Sequence, residues 1–160
     1  MDSQIRNASE ADMPQVLALI KELAEFEKEP DAVKITIEDL VSEGFGPQPS
    51  FVCFVAEVNE QIVGMALVYF RFSTWVGRTV HLEDLVVKQE MRGKGIGDAL
   101  YKRVMEYAID EGVKRVNWVV LGWNEGAIRF YKRTGANVME EWWQVEMDET
   151  GIQNYLANKT

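Results

Sequence analysis

The chain has 160 residues, of which 47% are hydrophobic and 27% charged, so it fits one globular domain, residues 1–160, and not a disordered chain. Seventeen basic against 26 acidic residues leave a net charge of −9, which disfavours a nucleic-acid partner, because phosphate binding needs surplus Lys and Arg. One cysteine, Cys53, and one histidine, His81, exclude an intrachain disulfide and leave a zinc site short of ligands, so no metal is expected. No apolar run approaches the roughly 20 residues of a membrane span. Met1 to Glu10 is polar and has no signal-peptide core. A cytoplasmic protein with no membrane partner is expected.

Ile5 lies in a stretch that reads as a first strand. Met13, Val16, Leu17, Ile20, Leu23 and Ala24 then form an apolar stripe at helical spacing. Ser9 with Asp12 resembles a capping box, and Pro14 places the helix start near Asp12. Thr36 and Asp39 mark a second, short helix through about Ser42. Gly44, Gly46, Pro47 and Pro49 make a loop. Phe51 to Val58 reads as a strand, Asn59–Gln61 as a turn, and Ile62 to Phe72 as the antiparallel partner. Thr74 to Gly77 is a further turn and Thr79 to Val87 a third strand in this series.

A glycine-rich turn follows, Arg92-Gly93-Lys94-Gly95-Ile96-Gly97-Asp98, and opens a long helix. Ile96, Leu100, Val104 and Ala108 recur every four residues along it, and Gly112 sits at its C′ position. Val116 to Leu121 reads as a strand. Asn124 is an N-cap for a helix to Thr134, ended by Gly135. Ala136 to Met147 is expected to hold one or two more strands. The order β-α-α-β-β-β-α-β-α-β predicts an α/β fold, a mixed central sheet flanked by helices.

The glycine-rich turn carries the chemistry. Glycines let a backbone approach an anion, and a helix start presents unpaired N–H groups. Arg92 and Lys94 add positive charge, so the turn reads as a phosphate cradle. It is not a P-loop, which needs Gly-Lys-Ser/Thr. It is not a dinucleotide fingerprint either, since three strands joined by short turns precede it rather than one strand of a βαβ unit.

Arg92-Gly93-Lys94-Gly95-Ile96-Gly97 resembles the Arg/Gln-x-x-Gly-x-Gly/Ala loop of the GNAT family of N-acetyltransferases. Further stretches resemble its diamine acetyltransferase subgroup: Glu22 to Lys28, Glu43 to Gly46, Ser73 to Arg78, Leu82 to Leu85, Trp123 to Glu125 and Phe130 to Lys132. The Leu23 to Lys28 run and Phe72 to Trp75 are more similar to the thialysine branch than to the polyamine branch. The latter typically has an Asp where this chain has Ser73.

The resemblance implies a splayed central sheet and acetyl transfer from acetyl-CoA to a primary amine of a small cationic molecule. Direct attack in a ternary complex is expected, with a polyamine acceptor as the alternative and a non-catalytic acyl-CoA-binding module as the rival of another class. It implies that Tyr131, seven residues past Asn124, is the general acid for the departing thiolate. It implies that Glu83 contacts the substrate amine and helps deprotonate it, directly or through water. On residues alone, Tyr131 also reads as a half-buried helix aromatic and Glu83 as an ion-pair partner of a nearby Arg. Adjacent strand residues face opposite sides, so one of Glu83 and Asp84 is expected to point into a core or cleft.

Acetyl-CoA is expected at backbone groups of Leu85, Val86 and Val87, at Arg92, Gly93, Lys94, Gly95, Ile96, Gly97 and Asp98, and at Asn124, Gly126, Ala127 and Tyr131. Glu27, Trp75, Glu83 and Glu141 map onto substrate contacts. Glu27 and Glu141 otherwise read as solvated surface charge and Trp75 as a turn residue. His81 matches an aromatic position and is given no catalytic part. The resemblance also implies a homodimer.

Overall fold

The computed structural model describes residues 3–157. It divides into two compact units, which meet in sequence at Val119 and Val120.

The first unit is a five-stranded sheet in the order β1-β2-β3-β4-β5 with helices α1 (Met13–Phe26), α2 (Ile37–Phe45) and α3 (Ile96–Asp110). Its strands are β1 (Gln4–Asn7), β2 (Val52–Val58), β3 (Gln61–Ser73), β4 (Gly77–Val87) and β5 (Val116–Asn117). Neighbours pair antiparallel from β1 to β4, whereas β4 and β5 pair in parallel. Parallel neighbours need a crossover, and α3 lies in the chain that makes it.

Two apolar layers form, one on each face of the sheet. Val68, Val80 and Leu82 pack with Ile96, Leu100 and Val104 of α3. Val55, Met65 and Val86 pack with Met13, Val16 and Leu19 of α1 and Leu40 of α2. The stripe on α1 thus buries as its spacing predicts.

The entry to α1 is held by charge. The Ser9 N–H donates to Asp12 Oδ2 at 2.7 Å, closing the expected capping box. Arg6 on β1 donates to both Asp12 oxygens, at 2.8 and 3.0 Å, and to Glu57 Oε2 on β2 at 2.7 Å. This guanidinium holds the Asp12 carboxyl down to about 2.

The β3–β4 ladder contains a β-bulge. Val68 pairs with Leu82 and Leu67 with Asp84, which leaves Glu83 as the extra residue. The alternation of faces slips by one there. Val80 and Leu82 face α3 before it, and Val87 faces α3 after it.

The second unit contains α4 (Glu125–Arg133) and α5 (Glu149–Ala157). The Asn124 side chain accepts from the Ala127 N–H at 3.2 Å, so the expected N-cap is present. Gly135 ends α4 at a φ of 91°.

Three expectations are corrected. No strand occurs over residues 136–147 among the described residues. Trp142, Trp143, Val145 and Met147 are 67%, 87%, 91% and 58% exposed, so their apolar pattern has no neighbouring strand to pair with. Helix α5 stands at the end of the order instead of a strand. The strand expected over Val116 to Leu121 is only the two residues of β5.

Candidate active site

A cavity of about 630 Å³ opens beside α1, α2 and the α1-facing side of the sheet. That volume suits a small molecule. Its floor is apolar, with Ile20, Leu23, Leu40, Phe51 and Leu67 among its lining, and five acidic residues line it as well. Glu27 comes from the end of α1, Asp39 and Glu43 from α2, and Glu83 and Asp84 from β4.

The bulge explains the last pair. Regular alternation puts Glu83 and Asp84 on opposite faces, as expected from the sequence. The extra residue at Glu83 brings both to the same cavity.

The two acids are electrostatically unlike. Glu83 accepts from the Tyr69 hydroxyl at 2.8 Å and lies 3.4 Å from His81 Nε2. Those contacts hold its carboxyl below the usual range, the His81 contact most strongly. Arg71 Nη1 lies 3.1 Å from His81 Nδ1. A guanidinium only donates, which assigns the lone pair to Nδ1 and the proton to Nε2, toward Glu83. Among the described residues Asp84 has no cationic partner within ion-pair distance. Desolvation, then the charges of Glu83 and Glu27, push its carboxyl up to about 6. Desolvation also raises Glu27.

At the other end of β4, Val87 leads through Lys88 and a single helical turn to the glycine-rich loop. Gly93 and Gly95 adopt φ of 73° and 81°, a left-handed conformation that favours glycine. A Cβ at either would meet no atom within 4 Å, so the loop is open. The Ala99 N–H is the first to reach back one turn, to the Gly95 carbonyl at 3.0 Å. The amides of Ile96, Gly97 and Asp98 precede it and have no carbonyl in the helix to bond. Arg92 Nε donates to the Val87 carbonyl at 3.1 Å and Lys94 Nζ to the Glu90 carbonyl at 3.1 Å, which fixes the loop to the strand and turn before it. Such a loop fits a phosphate.

Strand β5 pairs with β4 only at Val80 and His81. Among the described residues, the β5-side edge of β4 from Leu82 to Val87 has no strand partner. Along such an edge alternate residues turn their N–H and C=O away from the paired strand, and these groups can bind an extended chain. Among the described residues no group of three or more His, Cys, Asp or Glu is positioned for a metal ion.

The remaining expected residues lie elsewhere. Trp75 occupies the β3–β4 turn, is 78% exposed and does not line the cavity. Its N–H donates to Ser73 Oγ at 3.2 Å. In the second unit, Tyr131 is half-buried on α4 with its ring 5.5 Å from that of Phe130. Gly126 and Ala127 form the first turn of α4, and Glu141 is exposed on a turn.

Sequence reasoning missed Asp84, Tyr69, Asp39, Glu43 and Lys34 as lining residues. Tyr69 was within reach, since counting back across the 74–76 turn pairs it with His81. The bulge, by contrast, has no residue signature.

The sequence matches the acetyltransferase (GNAT) family over residues 13–136. It is 45% identical to thialysine N-epsilon-acetyltransferase of Sus scrofa over 145 residues, 86% of this chain and 85% of that one. It is 40% identical to spermidine/spermine N(1)-acetyltransferase-like protein 1 of Homo sapiens over 89% of this chain and 22% of that protein. An integron cassette protein from V. cholerae shares the fold with a TM-score of 0.78 at 24% identity, over 99% of both chains. An aminoglycoside acetyltransferase from an uncultured soil metagenomic sample does so at 0.76 and 21%, over 91% of this chain and 95% of that one.

Proposed function

Because the chain belongs to the acetyltransferase (GNAT) family and is an acetyl-CoA-dependent N-acetyltransferase, we propose that it acetylates the distal primary amine of a small, thialysine-like cationic molecule. The observation that carries this reading is the cavity in which five carboxylates surround an apolar floor. The acids match ammonium groups and the floor matches the carbon and sulfur chain between them.

The residues divide the work as follows. Backbone groups of Leu85, Val86 and Val87 hold the extended arm of acetyl-CoA. The loop from Arg92 through Gly93, Lys94, Gly95, Ile96 and Gly97 to Asp98 holds its pyrophosphate. Asn124, Gly126 and Ala127 hold it from α4. Acetyl-CoA supplies the thioester acyl group.

An amine with pKa about 10.4 is neutral in only about one molecule in 10³ at pH 7. It must lose a proton before it attacks. Glu83, held low by His81 and Tyr69, is a permanent anion that anchors the ammonium. Asp84, at about 6, is the better proton acceptor near neutrality. Tyr131 is the acid for the leaving thiolate. Transfer is direct, because the one cysteine, Cys53, is buried in β2 with its thiol pushed up to about 12 by desolvation.

Glu27 completes the cation site. Trp75 and Glu141 are further substrate contacts by family resemblance alone. The two units act as one domain over residues 1–160, a reading supported by a family match that runs from residue 13 to 136 across both. No described helix is long and apolar enough to cross a membrane. A cytoplasmic homodimer without nucleic-acid or membrane partners completes the reading.

Polyamine acetylation is the second reading, favoured by the number of carboxylates. Thiol release from acetyl-CoA with thialysine, lysine, putrescine, spermidine and spermine separates the two. Thialysine is expected to have the highest kcat/KM. A higher value for spermidine overturns the thialysine assignment and leaves the acetyltransferase intact.

A further inference from the structure

The cavity lining contains one cation among its acids. Lys34 lies in the irregular segment between the end of α1 and the N-terminus of α2, and it lines the same cavity as the five carboxylates. Two of those acids stand on α2, only a few residues further along the chain. Even so, Lys34 makes no ion pair among the described residues, within the distance at which Arg6 and Asp12 do.

The reason is that both nearby acids are already engaged. Asp39 accepts from the Thr36 N–H at 2.8 Å and from the Thr36 hydroxyl at 3.0 Å, as the capping box of α2. Glu43 accepts from the Ser50 hydroxyl, which joins α2 to the loop before β2. Both carboxylates thus already have donors from neighbouring segments while still lining the cavity. They leave an uncommitted ammonium at one side of a cavity whose other acids, Glu27, Glu83 and Asp84, come from α1 and β4.

An ammonium is an odd component of a site built for cations alone. It repels a polyamine at every position within reach. It attracts an acceptor that carries an anion as well as amines. A single ammonium offers a point charge with three donors, which suits a carboxylate.

We propose that Lys34 binds the α-carboxylate of the acceptor, so the cavity selects an amino acid with a distal amine over a diamine or polyamine of the same length. This rests on the proposed small-amine acetylation and names the group that sets its specificity. The α-carboxylate is held at Lys34 while the distal ammonium reaches Glu83 and Asp84. The amino acid therefore enters in one orientation, whereas a symmetric diamine has no such preference.

A matched pair of acceptors tests it. Thialysine and bis(2-aminoethyl) sulfide share the thioether and the distal amine and differ only in the carboxylate. kcat/KM for both is measured by thiol release in the wild-type protein, K34M and K34R. The ratio of thialysine to diamine is expected to fall by about tenfold or more in K34M, the size of a lost charge-assisted hydrogen bond. The loss should appear in KM rather than kcat. K34R is expected to keep the ratio, because it retains the charge. A general defect in folding lowers both rates and leaves the ratio unmoved.

A ratio that stays within about threefold of wild type in K34M overturns the carboxylate assignment and leaves the proposed function standing. Equal falls in K34M and K34R also overturn it, since they mark packing rather than charge. If wild-type protein releases thiol with neither compound, the thialysine-like acceptor itself falls, and the role of Lys34 with it.

Discussion

Asp84 and Glu83 are neighbours in sequence, line one cavity and carry carboxyls shifted in opposite directions. The raised group has a cost that can be read in stability. Its folded value, about 6, lies above the ordinary 3.8, so between those values the native state binds more protons than the unfolded chain. Stability then falls as pH rises through that window and stays reduced above it. Asp84→Asn removes the charge and should stabilise the protein at pH 7 by about 1–2 kcal/mol. That gain should fade as pH drops toward 3.8, and thermal unfolding across pH reads it. A gain that persists unchanged in acid would mean that packing, not charge, is responsible. The same variant should lose acetyl transfer at neutral pH. Tyr131→Phe makes a separate prediction. Turnover should fall by about 10²-fold or more, the size of a general-acid effect, with acetyl-CoA affinity kept. Steady-state kinetics beside calorimetry separate the two quantities, and parental turnover would make Tyr131 a packing residue.

At the level of elements, the junction from β4 through the glycine-rich loop to α3 is where function was most legible. Gly95 has a φ of 81° and open space at its Cβ position. Gly95→Val is therefore both strained, by about 1–2 kcal/mol, and obstructive to a phosphate. It should weaken acetyl-CoA binding in calorimetry while the protein stays folded, and unchanged affinity would remove the cradle. Strands β2, β3 and β4 were legible for a related reason: their alternating apolar residues bury on two faces. The bulge was not, because an extra residue in a ladder is a property of pairing rather than of any side chain. The region after Gly135 failed differently. Its Trp and Val residues have strand propensity, but propensity acts only where a partner strand offers hydrogen bonds. Lys34 and Asp39 were hidden because an irregular segment and a capping box look the same whether or not a cavity lies beneath them.

Over the whole molecule, a net charge of −9 gives a field that attracts cations at a distance. Added salt screens such a field over roughly 10 Å at 0.1 M. KM for the amine should therefore rise several-fold between about 0.05 and 0.5 M salt, with kcat nearly constant; a KM independent of salt would confine the attraction to direct contacts. The bulge at Glu83 also has a meaning for how this chain tolerates change in length. It works as a frameshift in the folding pattern. Deleting Glu83 alone would restore unbroken alternation and leave every other side chain of β4 on its face, whereas deleting any other interior residue of β4 would force one half of the strand to exchange faces. Valines shaped for α3 would meet α1, or the acids would leave the cavity. Substitutions along β4 can be absorbed one at a time, but a single-codon deletion anywhere in its interior except at Glu83 moves a whole half-strand out of phase. Descendants of this sequence are therefore expected to vary in the composition of β4 and to keep its length.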